Sequence, residues 1–185
     1  MSAELTKGVT VVSHQIHSDR RGDFREWFST RNLPEGWQSF TLAQANLSVS
    51  EKGVIRGIHF SRSDILQRKI VTCVKGEILD FVVDLRVGSP TFGSHTPISL
   101  KADSGKSIFI ENGMGHGFQA LSEEAIIVYL TDLNYDPGFD ESVNPFDERL
   151  AIPWAELTHN ISDRDYNSAT LDHLEATHKL PRFTE

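Results

Sequence analysis

The chain of 185 residues has one cysteine, Cys73, so no disulfide can form within it. That suits a reducing compartment and leaves Cys73 as a small, buried apolar residue. Positive charge is scarce: 18 Lys and Arg stand against 26 Asp and Glu, a formal net charge of −8. This excludes the broad basic surface that nucleic acid requires, although a few cations gathered in a pocket still suit a small anionic ligand. No apolar run approaches the roughly 18 residues of a membrane span, and MSAELTKGVT lacks the basic and apolar regions of a signal peptide. A cytoplasmic protein is therefore expected. There is no internal repeat, low-complexity segment or interdomain linker, and 1–185 reads as a single domain.

Hydrophobic residues at 38% and charged residues at 24% are ordinary for a globular protein. Short β-rich runs dominate. Val11–Ile16, Phe24–Phe28, Phe40–Asn46, Val54–Phe60, Arg68–Lys75 and Glu77–Leu85 read as strands, the last carrying ILDFVVDL, a run suited to a strand buried on both faces. Thr96–Leu100, Ser107–Glu111, Gly117–Leu121 and Ala125–Leu133 continue the series. Clusters such as Asp19-Arg20-Arg21-Gly22, Gly88-Ser89-Pro90 and Lys101–Lys106 read as the turns between them. Thr30–Trp37 reads as a loop or a single helical turn, and 136–165 as mostly loop. Leu171, Leu174 and His178 then fall at helical spacing within Thr170–His178. The expectation is an all-β sandwich or barrel with a short C-terminal helical segment.

Two stretches resemble the paired motifs of cupin jelly-roll barrels. In the first, Gly53 is followed after five residues by His59; in the second, Gly105 leads through Glu111 and Gly113 to His116. The metal-binding half is absent, because Ser61 stands where a second His belongs and Lys69 brings an ammonium that repels a divalent cation. A His beside a Lys in a barrel mouth suits acid–base chemistry, the imidazole taking a proton and the amine steadying an oxyanion. A metal-dependent cupin isomerase or dioxygenase remains the competing enzyme class. A sugar-nucleotide-binding module without activity is a third reading, which a base and an acid in the same pocket disfavour.

Six ordered pieces resemble the dTDP-4-dehydrorhamnose 3,5-epimerases and their relatives in antibiotic deoxysugar pathways: DRRGDFREWF, QANLSVSEKGVIRGIH, RKIVTCVKGEILDFVVDLRVGSPTFG, GHGFQALS, VYLTDLNYDP and ISDRD. The resemblance implies a metal-free cupin with no organic cofactor that inverts C3, C5 or both of a dTDP-4-keto-6-deoxyhexose. It further implies a homodimer with exchanged N-terminal strands. By position, His59 matches the base, Asp165 the carboxylate that orients it, Tyr129 the acid on the opposite face, and Lys69 the cation near the C4 oxygen. Arg21, Glu26, Gln44, Asn46, Arg56 and His116 match substrate-contacting positions, Tyr135 an aromatic at the nucleotide end, and Asp140 and Arg164 two further positions in the pocket wall. Taken singly, Tyr129 also fits a core aromatic, Asp165 an N-cap and Arg21 a hairpin flank.

Departures from the family pattern fall on that wall. His17 replaces an aromatic, Phe60-Ser61 a Tyr-Gln pair, Glu111 a Pro, Asp140 a Glu and Arg164 a Lys. They place the chain nearer the antibiotic-sugar branch, in which some members invert one centre only. Strict alternation along Val54–Phe60 puts Arg56 and His59 on opposite faces, unless Gly57 marks a bulge.

Overall fold

The computed structural model describes residues 7–62 and 65–184. In chain order, the strands are β1 (Val9–Ser13), β2 (His17–Asp19), β3 (Gly22–Phe24), β4 (Gln44–Glu51), β5 (Val54–Ser61), β6 (Lys69–Lys75) and β7 (Glu77–Asp84). Then follow β8 (His95–Lys101), β9 (Lys106–Ile110), β10 (Met114–Ala120), β11 (Glu124–Thr131), β12 (Asp140–Ser142), β13 (Asn160–Ile161), and the helices α1 (Asp163–Tyr166) and α2 (Leu171–Ala176). One sheet has the order β1-β9-β6-β11-β4; the other runs β12-β5-β10-β7-β8, with β13 parallel to β5. All other pairings in the two sheets are antiparallel. This is the expected jelly roll.

Alternation along the strands sorts residues into layers. Val71, Cys73, Ile78, Val82, Ile108, Phe118 and Ile127 pack between the sheets. The outer face of the second sheet, with Ile58, Phe60, Phe81 and Val83, is covered by Leu150, Leu171, Leu174 and Leu180 from the C-terminal segment. Outside the first sheet, Trp37 and Phe40 pack on Ile70, Phe109 and Leu130.

That outer layer explains where the sequence reading misplaces strands. Phe24–Phe28 does not pair beyond Phe24, and the strand expected from Phe40 begins at Gln44. The aromatics there form a lid, with Trp37 and Phe40 at a ring separation of 5.5 Å and Trp37 edge-on to Phe109 at 5.0 Å. Burial against a neighbouring sheet meets their need without a ladder. Within 136–165, read as loop, the chain adds β12 and β13 to the free side of β5 and forms α1.

Candidate active site

The interior between the sheets is apolar at one end and polar at the other. The polar end is a cavity of about 250 Å³ lined by Gln44, Asn46 and Ser48 of β4, Arg56 and His59 of β5, Lys69 of β6, His116 of β10, Tyr129 and Thr131 of β11, and Asp140 of β12, with Tyr135 and Gln67 from loops. A wider depression of about 780 Å³ beside Phe146 and Arg149 carries none of the residues expected from sequence.

Gly57 is what lets Arg56 and His59 share the cavity. His59 opposes His116 while Arg56 opposes Phe118, so three steps along β5 span two along β10. The surplus residue is a bulge, as alternation requires if both side chains are to point inward. Gly57 has φ +117°, and an added Cβ would lie 2.6 Å from both the Gly117 Cα and the His116 carbonyl oxygen. No side chain fits there.

The His59 Nε2 lies 2.8 Å from Asp165 Oδ1, and the Gly57 N–H donates to Asp165 Oδ2 at 3.3 Å. Asp165 is buried in the first turn of α1, where Ser162 is the N-cap and accepts from the Asp165 N–H at 3.1 Å. Asp165 is therefore not itself a cap. Burial works to raise its carboxyl, but hydrogen bonds from His59 and Gly57 and the charge of Arg164 outweigh it and hold it below the usual range. An ionised carboxylate on one ring nitrogen fixes the tautomer and leaves the other nitrogen free to act as a base.

Across the cavity, Tyr129 comes from the other sheet, its hydroxyl 3.1 Å from Ser48 Oγ. Burial pushes this phenol well above its ordinary value, against the opposing Ser48 hydrogen bond. Lys69 stands beside it on β6. Burial lowers its ammonium and Asp140 partly offsets that; no hydrogen bond or ion pair to another described residue engages it. A desolvated cation open to the cavity is a suitable partner for a developing oxyanion.

Alternation on β4 runs opposite to that of an ordinary sandwich strand. Inward lie Gln44, Asn46, Ser48 and Ser50, while Leu47 and Val49 point outward, 62% and 50% exposed. The inward row is tied together: Gln44 Nε2 donates to Asn46 Oδ1 at 2.7 Å, Gln44 Oε1 accepts from the Tyr135 N–H at 2.7 Å, and Arg56 Nε donates to Ser50 Oγ at 3.0 Å.

His116 forms a second dyad, its Nε2 2.7 Å from Asp80 Oδ2 with both residues buried. Asp80 Oδ1 has no hydrogen-bond partner among the described residues. Neither Asp80 nor Ser48 is apparent from motif matching. For Asp80 the usable signal is a carboxylate inside ILDFVVDL, since a buried charge needs a partner.

Four of the expected residues stand outside the cavity lining. Asp165 reaches it through His59. Arg164 ion-pairs with Asp140 at 2.7 Å and is half exposed. Arg21 sits in the β2–β3 turn, paired with Asp19 at 2.5 Å. Glu26 accepts from Asn32 at 3.3 Å and lines a separate pocket with His17. Among the altered positions, Phe60 points into the outer core, Ser61 borders a neighbouring pocket, and Glu111 lies against Trp37 beside Arg68. Among the described residues, no three His, Cys, Asp or Glu side chains converge as a metal site would need.

A family profile described as dTDP-4-dehydrorhamnose 3,5-epimerase matches residues 4–173. A protein of Streptomyces niveus named dTDP-4-dehydrorhamnose 3-epimerase is 41% identical over 178 residues, covering 96% of this chain and 86% of that one. The crystal structure of NovW, a 4-keto-6-deoxy sugar epimerase from the novobiocin gene cluster of Streptomyces spheroides, superposes with a TM-score of 0.90 at 40% identity, covering 96% and 89% of the two chains. ChmJ, a 3'-monoepimerase from Streptomyces bikiniensis in complex with dTDP-quinovose, matches with a TM-score of 0.88 at 38% identity, covering 95% and 89%.

Proposed function

The chain belongs to the dTDP-4-dehydrorhamnose 3,5-epimerase family, and on that premise we propose that it epimerises a dTDP-4-keto-6-deoxyhexose at C3, C5 or both. The observation that carries the reading is that His59 and Tyr129 enter one cavity from opposite sheets. A sugar ring lying between them has a base on one face and an acid on the other.

The proton α to a ketone is too weakly acidic for an imidazole alone, so the enolate must be stabilised as it forms. His59 takes the proton from carbon, the C–H pair becomes the enolate, and its oxygen faces Lys69. Tyr129 then delivers a proton to the opposite face, the carbonyl re-forms, and configuration is inverted. Water restores the phenol and discharges the imidazolium. Each positioned group contributes about 10²–10⁴-fold. His116, held by Asp80, lies next to this path and suits hydrogen bonding to the sugar. Gln44, Asn46, Arg56, Tyr135 and Asp140 complete the substrate-binding set, with Arg164 acting through Asp140. The chemistry uses no metal and no organic cofactor.

The whole chain, 1–185, acts in this reading as one catalytic domain. The proposal also makes it a homodimer. Outward Leu47 and Val49 on the edge strand β4, and Phe24, 70% exposed, on the β2–β3 arm, are apolar surface that a second copy would cover. Such an exchange would bring Arg21 and Glu26 to the partner's cavity. Free, buried Cys73 suits the cytoplasm, where the proposal places the enzyme.

The test is incubation of the protein with dTDP-4-keto-6-deoxyglucose in D₂O, followed by NMR. Deuterium at C3, C5 or both, with epimerised product, is the expected result and identifies the centres. No exchange at either position would overturn the reading.

A further inference from the structure

We infer that Ser48 is a positioning residue for reprotonation, holding the Tyr129 hydroxyl in place and donating to the phenolate left when Tyr129 gives up its proton. The inference rests on the epimerase reading and deepens it.

The antiparallel register builds the pair. Tyr129 opposes Asn46 and Ser48 opposes Ile127, so Ser48 is the diagonal neighbour of Tyr129 on the inward face. Their oxygens are 3.1 Å apart, and Ser48 supplies the one hydrogen bond recorded for that hydroxyl among the described residues. Among the described residues, β4 is the edge strand and pairs with β11 alone. The register of a single strand pair thus sets where the acid points.

Its chemical value appears in the transfer itself. The phenolic O–H bond breaks as a C–H bond forms at the enolate carbon, the enolate pair supplying that bond while the C4 carbonyl is restored. A buried phenolate remains. Burial opposes it most, and the Asp80 charge opposes it further, whereas the Ser48 hydrogen bond and the charge of Arg56 favour it. The phenol has a single O–H, so for that proton to aim at the enolate carbon the Ser48 hydroxyl donates to the phenol oxygen, and it keeps that contact with the phenolate. A hydrogen bond to a charged oxygen is stronger than one to a neutral oxygen, so this contact gains strength as the proton leaves.

The experiment compares wild type, Ser48→Ala and Ser48→Thr on dTDP-4-keto-6-deoxyglucose in D₂O, measuring deuterium entry with retained configuration separately from inverted product. Ser48→Ala is expected to cut inversion about tenfold or more, while retained-configuration exchange stays within about twofold and KM barely moves. Ser48→Thr, which keeps the hydroxyl, should restore inversion. In a Tyr129→Phe background, Ser48→Ala should cost nothing further. Equal loss of exchange and inversion, or no loss of either, overturns the inference. If the alanine variant does not fold, Ser48→Cys, a weak donor, is read by the same criteria. A wild-type enzyme that fails to exchange overturns the epimerase reading as well, a result distinct from any difference between variants.

Discussion

Arg56 and His59 face the same cavity from β5 although regular pleating over three positions would set them on opposite sides, because Gly57 adds one residue to that strand against β10. Gly57→Ala should therefore disturb the fold and the site together. Its methyl would meet two backbone atoms of β10 at 2.6 Å, at a φ of +117° that alanine tolerates poorly. A destabilisation of about 2 kcal/mol or more is expected, read as a lowered melting temperature with reduced epimerisation. An unchanged melt would mean that the strands part at little cost.

The Asp165 carboxylate holds His59 at 2.8 Å. Asp165→Asn should keep the fold but cut turnover about 10²–10⁴-fold, since an amide can hold the wrong tautomer and cannot stabilise the imidazolium. Circular dichroism and steady-state kinetics check the two halves of this expectation. Turnover at the wild-type rate would reduce Asp165 to a bracket for Gly57.

Tyr129→Phe should separate proton removal from inversion. Deuterium should still enter from the His59 side with configuration retained, while epimerised product falls about 10²-fold or more. NMR in D₂O reads both quantities from one sample. Loss of both in proportion would make Tyr129 a positioning residue.

Burial moves the two groups of the first sheet in opposite directions, lowering the Lys69 ammonium and raising the Tyr129 phenol. As pH rises, Lys69 is thus the first of the pair to deprotonate, and turnover should fall on an alkaline limb below the ordinary lysine value of about 10.4. Lys69→Arg keeps its charge throughout, so whatever activity it retains should show that limb moved upward. An unmoved limb would assign the titration to another group.

The jelly roll is legible in the sequence because its central strands are apolar runs bounded by glycine-rich turns, and β5 to β11 fall close to where those runs lie. The proposed base, acid and cation sit on these strands; cupin-like spacing picks out His59 and Lys69, whereas Tyr129 comes from the family resemblance. What depends on pairing is hidden. Ser48 acquires its neighbour through the register of β4 with β11, and Asp80 through the pairing of β7 with β10. The aromatics at Trp27, Phe28 and Phe40 mimic strands by composition, but they pack from outside as a lid. Arg21 and Glu26 stand outside the cavity lining of their own chain, and only the proposed dimer would bring them to one.

His59 and Asp165 stand 106 positions apart, and the carboxylate arrives on a four-residue helix after both sheets have been written. A ribosome translating this message makes every residue that lines the cavity before it makes the carboxylate proposed to ready the base. A chain cut short between Asp140 and Asp163 would carry the cavity-lining residues yet lack that partner. In this family member, a base set in the sheets would depend for its readiness on a residue that follows the last strand of either sheet.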